Sequence, residues 1–249
     1  MKLYQDKEWL YNKYVNEKLS QEWISKLCNV TQNAIWKWLR KHNIQSRSLS
    51  EANHLRQVNH CSLSKKAIEW INGELLGDGN LEKPSSYSVR FRYTSKYSEY
   101  IQYIMGIFNS FGMEQTKMNK YYHKKYDCYS YRYNSLSYPE LLPMYEQWYP
   151  NGRKEIPKDI KLTPITLKQW YLGDGCLVHR KQGNPNIVLC TYGFLVSDVE
   201  WLMEQLRRIG FKITRWADNA IRVSAYSVKD FLKYIGNCPV QCYQYKFNY

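Results

Sequence analysis

"ELLGDGNL" at 74–81 and "WYLGDGCLV" at 170–178 are the two stretches that decide the fold. Each is the tail of an apolar, helix-like run that stops on the same Leu-Gly-Asp-Gly. One Asp-Gly pair is ordinary turn chemistry, but two in the same context imply a duplicated unit. After the first, "YSVRFRYTS" from Tyr87 alternates strictly, a helix is predicted from Tyr97 to Phe111, and Gly112 stops it. After the second, "NIVLCTY" from Asn186 reads as strand, and Ser197 with Glu200 predicts a capping box for a helix closed by Gly210. Asp78 to Gly112 is 34 positions and Asp174 to Gly210 is 36. Further on, "YRYNSLSYPELL" (131–142) lies over "IRVSAYSVKDFL" (221–232) at a constant offset of 90, which aligns Arg132 with Arg222 and Ser137 with Ser227. Each half reads helix, strands, helix, two strands, helix.

Residues 1–44 form a separate small unit. Asp6, Ser20 and Thr31 each stand where they can cap a helix. The pattern turns Trp23, Ile24 and Leu27 of the second helix, and Ile35, Trp38 and Leu39 of the third, inward. The arrangement resembles a helix-turn-helix domain, whose third helix would offer Gln32, Asn33, Trp36, Lys37 and Arg40 to a major groove. Residues 45–63 are polar and Ser-rich and read as a linker. The domains are therefore 1–44, the linker 45–63, a first half 64–152 and a second half 153–249.

Composition restricts the partner. Thirty-six Lys and Arg against 22 Asp and Glu leave a formal charge of +14 spread along the 249 residues, which points to a polyphosphate. Seven Cys are scattered without a Cys-x-x-Cys pair, which argues for reduced thiols in an intracellular protein and against a zinc site. No run of about 18 apolar residues is present to cross a bilayer, so the expectation is a soluble protein, cytoplasmic or organellar, with no membrane partner.

If two related halves pack about a pseudo-twofold axis, the equivalent helices lie side by side and bring their terminal carboxylates together. Close approach needs small residues, and Gly73 and Gly77 have the Gly-x-x-x-Gly spacing. An acid at a helix C-terminus opposes the dipole and needs another reason to be there. Paired carboxylates beside a basic surface suit an oxygen-ligated divalent ion, Mg²⁺ by preference or another such as Mn²⁺. Ions so placed can activate water and stabilise a leaving 3′ oxygen.

With those residues in view, the sequence resembles the LAGLIDADG homing endonucleases in their single-chain, two-motif form, intron-encoded branch. "INGELLGDG" (71–79) and "LKQWYLGDG" (167–175) match the nine-residue family pattern, and the resemblance spans about 64–249. It implies an α+β fold: duplicated αββαββα halves with pseudo-twofold symmetry and two antiparallel DNA-binding sheets, preceded here by the all-α helix-turn-helix domain. It implies Asp78 and Asp174 as metal-binding acids, with the carbonyls of Gly77 and Gly173 as further ligands. "YPNGRKEIPKDIKLTPITLKQWYLGDG" before the second motif and "PVQCYQYKF" at the end resemble the intron-encoded branch. By that resemblance Lys154 and Lys246, 92 apart, are the basic catalytic residues of the two halves.

The sequence departs from the pattern in places. Gln169 stands where a small residue is usual, which predicts a looser or bent helix contact on that side. Leu76 and Leu172 replace the earlier acid of the family name. Glu74 puts a charge at a usually apolar position, and the sequence assigns it no role.

The alternating strands would present one face to DNA. Ser88, Arg90, Arg92 and Thr94 oppose Val89, Phe91 and Tyr93, and Ser130, Arg132 and Asn134 oppose Tyr129, Tyr131 and Tyr133. Lys120, Arg180, Lys181, Arg215 and Arg222 complete the expected contacts. The implied activity is metal-dependent hydrolysis of both strands of a long, asymmetric double-stranded DNA site by a monomer. The alternatives are a transcription regulator of the same fold that binds without cutting, and a maturase acting on intron RNA.

Overall fold

Three polar caps set the helices of the first unit. A computed structural model describes residues 2–56, 59–114, 116–179 and 183–249. Asp6, Ser20 and Thr31 accept from the backbone N–H of Trp9, Trp23 and Ala34, opening α1 (Lys7–Tyr11), α2 (Gln21–Leu27) and α3 (Gln32–Lys41). Their inward faces close a small core of Tyr4, Leu10, Tyr14, Ile24, Ile35, Leu39 and Ile44. Trp38 packs partly against it. Trp23 and Leu27 do not point inward as the periodicity predicts; they are 67% and 59% exposed, because a core this small is filled by Ile24 from that helix.

The stretch read as a linker is also different. It carries a helix, α4 (Leu49–Arg56), and the first unit extends through Val58. Arg47 ties its start to the core: the guanidinium donates to the carbonyls of Tyr14, Lys18 and Leu19 and lies 3.9 Å from the Tyr14 ring centroid. Arg47→Ala is expected to destabilise this unit by about 2 kcal/mol, because a charged donor to three backbone carbonyls, two of them partly buried, is lost. Faster amide exchange confined to residues 2–56 checks it.

The second unit, 59–249, repeats one order of elements. The first half runs α5 (Lys65–Leu76), β1 (Asn80–Ser85), β2 (Ser88–Ser95), α6 (Ser98–Ser110), β3 (Asn119–His123), β4 (Cys128–Asn134) and α7 (Leu142–Trp148). The second runs α8 (Pro164–Asp174), β5 (Gly175–Val178), β6 (Asn186–Leu189), α9 (Val196–Ile209), β7 (Ile213–Arg215), β8 (Ile221–Val223) and α10 (Val228–Ile235). Both sheets are antiparallel and have equivalent orders, β1-β2-β4-β3 and β5-β6-β8-β7.

Period-two alternation buries one face of each sheet under the helices. Val89, Phe91, Tyr93 and Tyr133 are buried, with Phe91 and Tyr133 against Phe108 of α6. Gly112 and Gly210 stop α6 and α9 at positive φ, as expected. The capping box of Ser197 is not formed: α9 starts two residues earlier than that cap would place it, with Leu195 at its N-cap position and no side-chain cap. Asp198 in that first turn serves the interior instead, accepting from the backbone N–H of Ile156 and pairing with Lys158. No helix among the described residues is long and apolar enough to cross a membrane.

Candidate active site at the helix crossing

Two helices meet where each lacks side chains. α5 and α8 approach so closely that a Cβ on Gly77 would lie 3.4 Å from the Cα of Gly173, and one on Gly173 would lie 3.2 Å from the Asp78 nitrogen. Gly73 is tighter still: its Cβ would stand 2.5 Å from the Thr166 carbonyl oxygen and 2.8 Å from the Gln169 Cβ. The contact at Gln169 is therefore not loosened, as the bulk of that residue suggests; Gly73 makes room for it. Immediately beyond the crossing come Asp78, exposed, and Asp174, half-buried.

Each half then lays an ammonium on the end of its helix. Lys154 donates to the carbonyls of Gly77 (3.3 Å) and Gly79 (2.8 Å). Lys246 donates to those of Leu172 (2.6 Å), Gly173 (3.2 Å) and Tyr171 (3.4 Å). Burial pushes the Lys154 pKa down to about 8, against the pull of Asp174, Asp78 and Glu74. Burial lowers Lys246 as well. Burial and then the Asp78 carboxylate push Asp174 up to about 6, and the two lysines hold it down. Tyr93 donates from its hydroxyl to Asp78 at 3.3 Å. Two mutually repelling carboxylates thus stand with two helix-end carbonyls, each of which accepts from an ammonium.

Beneath it lies the residue without an assigned role. Glu74 is 0% exposed and accepts from the Tyr100 hydroxyl at 2.6 Å. With its amide oriented by the surrounding network, Gln169 donates to Glu74 Oε1 at 3.0 Å and accepts from Trp70 Nε1 at 3.3 Å. The other carboxylate oxygen, Oε2, has no hydrogen-bond partner among the described residues. Burial raises the Glu74 pKa to about 8; Tyr100 and Lys154 oppose the shift and Asp78 adds to it.

These shifts fix a sign. A carboxyl whose pKa is raised by folding adds stability that is complete below its unfolded pKa and lost as pH rises through its folded one. Asp174 loses its share through about pH 6 and Glu74 through about pH 8. Lys154, lowered to about 8, adds no slope below that pH. In the presence of a chelator, the melting temperature is expected to fall between about pH 5 and pH 8, and Glu74→Gln to flatten that fall. An unchanged slope in the variant would contradict the assignment.

A model of the LAGLIDADG DNA endonuclease family matches residues 68–231, about two thirds of the chain and both glycine-aspartate helix ends. The chain belongs to this family. The uncharacterized protein MJ1098 of Methanocaldococcus jannaschii is 27% identical over 210 residues, covering 80% of this chain and 76% of that one. The cytochrome b mRNA maturase bI2 of Debaryomyces hansenii is 28% identical over 153 residues, and the match spans 58% of this chain and 56% of the maturase. Among solved structures, the homing endonuclease I-WcaI bound to its DNA recognition sequence superposes with a TM-score of 0.66 at 20% identity, covering 82% of this chain and 95% of that one.

In this LAGLIDADG chain the outer sheet faces carry part of the expected basic set. Arg90 and Arg92 share one face of β2 and both pair with Glu82 of β1. Arg132 of β4 lies on the same face, against Thr94 and 4.7 Å from the Tyr121 ring centroid. Arg222 of β8 bonds Thr214 and rests 4.9 Å from the Trp216 ring centroid. Two residues lie elsewhere. Lys120 pairs in register with Tyr131, on the helix side of its sheet and opposite Arg132, because strand neighbours alternate faces. Arg215 pairs in register with buried Ile221 and turns to Glu200 of α9 at 3.1 Å. Gln32, Asn33, Lys37 and Arg40 are all exposed on α3. Arg180 and Lys181 lie outside the described residues.

Sequence reasoning missed Tyr93, Tyr100 and Gln169 as supports of the site. Glu74 and Gln169 each break an apolar helix pattern one position apart in the motif register, and that paired offence was the available signal.

Proposed function

We propose that the chain is a site-specific homing endonuclease that hydrolyses both strands of a long, asymmetric double-stranded DNA target with a divalent metal, and acts as a monomer. The observation that carries the reading is the glycine crossing that delivers Asp78 and Asp174 to one place, each beside a helix-end carbonyl that a lysine caps, half-buried Lys154 in one half and buried Lys246 in the other. The donor set fits Mg²⁺ or Mn²⁺: hard oxygens from two carboxylates and the Gly77 and Gly173 carbonyls, the remaining positions left to water and phosphate. Among the described residues no group of three or more His, Cys, Asp and Glu side chains stands ready to hold a metal, so the ligand count depends on the duplex. When bound, such an ion polarises the scissile phosphate and lowers the pKa of a water.

The chain's own groups do the remainder. Asp78 and Asp174 hold the charge in register over one duplex. Lys246 keeps its ammonium at the second helix end. Lys154, with a pKa near 8, can give or take a proton close to neutral pH. Arg90, Arg92, Arg132 and Arg222 supply donors for guanine edges and phosphates, and Glu82 holds two of them in orientation. Exposed Gln32, Asn33, Lys37 and Arg40 would lengthen the footprint as the reading helix of a helix-turn-helix.

The test is incubation with Mg²⁺ and DNA from an intron-free copy of the host gene. Discrete double-strand cleavage is expected, and a gel shift without cuts would favour a regulator. A second reading, a maturase acting on intron RNA, is supported by the cytochrome b mRNA maturases among the relatives. Splicing of the surrounding intron with and without the protein tests it.

A further inference from the structure

The hairpin of β3 and β4 outruns the helices that cover its sheet. On the helix side, Tyr133 is fully buried against Phe108, Tyr131 is partly covered, and Tyr129 and Tyr122 beyond it are 48% and 53% exposed. Register puts all four rings on one face, since Tyr122 pairs with Tyr129 and Lys120 with Tyr131. The Tyr122 and Tyr129 ring centroids are 5.1 Å apart. Lys120 lies 3.8 Å from the Tyr129 centroid and 6.0 Å from that of Tyr131. Asp127 accepts from the Tyr122 hydroxyl at 2.7 Å, which holds that ring in place.

Arg132, Tyr121 and Ser130 occupy the opposite face of the same hairpin. A duplex lying on that outer face cannot also meet Tyr122 and Tyr129. Left without a partner, two large aromatic side chains would remain in water with no core to join. The chemistry around them selects one. Residues 117–129 contain Lys117, Lys120, Lys124 and Lys125 against a single acid, Asp127. Flat rings beside ammoniums match unpaired bases joined by phosphates, since each base has a π-face to stack and each phosphate draws a cation. Bases inside a duplex are stacked on one another and offer no such face.

We propose that the helix-side face of the β3–β4 hairpin is a stacking platform for single-stranded RNA, with Tyr122 and Tyr129 as the rings and Lys120 as the phosphate contact. It rests on the maturase reading for the choice of RNA, and it is independent of the endonuclease site. Lys120, seated on Tyr129 in the free protein, would move to the phosphate and release that ring for a base.

The test uses the full chain and a fluorescein-labelled oligouridylate of about 12 nucleotides, read by anisotropy, with a random-sequence DNA duplex as the comparison. Tyr122→Leu with Tyr129→Leu is expected to weaken RNA binding roughly 10- to 100-fold, and to leave duplex binding within about twofold. Tyr122→Phe with Tyr129→Phe keeps the π-faces and is expected to restore RNA binding; circular dichroism shows that each variant is folded. Unchanged RNA affinity in the leucine pair, equal loss for the duplex, or equal affinity of the wild type for an oligothymidylate of the same length would overturn the proposal. If the leucine pair binds RNA normally and the wild type still promotes splicing, the platform fails while the maturase reading stands. If stacking is lost as expected but no splicing is seen, the platform stands without that role.

Discussion

Asp174→Asn should reduce double-strand cutting by roughly 1000-fold or more, with duplex binding retained or tightened. Asn keeps the shape and one oxygen but removes the charge that, on the proposed reading, would balance a divalent ion. The structure supplies the second half of the expectation. Burial, and then Asp78, already hold the Asp174 carboxylate at a pKa of about 6, so its charge costs energy in the free protein. Removing it relieves that repulsion and takes one negative charge away from the phosphates of an approaching duplex. Cleavage and gel shift on the same substrate separate the two effects. Full cutting by the variant would remove Asp174 from the chemistry.

Gly73→Val is expected to cost about 3 kcal/mol or more, the largest stability loss among single changes at the helix crossing. The new Cβ would sit 2.5 Å from a carbonyl oxygen and 3.0 Å from a Cα, both of Thr166, and backbone atoms cannot rotate away. α5 and α8 would have to separate, which also parts the two aspartates. Gly106 in α6 provides the control, because nothing lies within 4 Å of its added Cβ. Gly106→Ala should stabilise by up to about 1 kcal/mol through the unfolded chain. Urea denaturation of both variants measures the contrast. A Gly73→Val protein as stable as wild type would mean that the helices do not pack as described.

Features fixed by local chemistry or by repetition were legible in the sequence. The two Leu-Gly-Asp-Gly tails, the strict alternation from Ser88 and the 90-residue offset together imply two equivalent sheets, and the sheet orders agree. Lys154 and Lys246 do meet the equivalent glycine carbonyls. Features that depend on tertiary space were not legible. A helical stripe shows that Trp23, Ile24 and Leu27 are apolar, but not that the core has room for Ile24 alone. Ser197 has the spacing of a cap, yet the helix begins two residues earlier than that cap would place it, and Asp198 is engaged with Ile156 and Lys158. Lys120 and Arg215 belong to basic strands, but a one-residue shift in register decides the face, and both fall on the helix side. Glu74 and Gln169 sit on separate helices far apart in the chain, so neither explains the other until the crossing is formed.

That unequal pair at the crossing bears on how the halves can evolve. Two copies of the first half would sink a pair of Glu74 carboxylates into the interior with no Gln169 amide between them. Two copies of the second would ask Gln169 for space that only Gly73 provides. Neither half can stand in as its own mate, so the two are free to diverge, and on the proposed reading the fused chain would follow a recognition sequence with no palindrome in it.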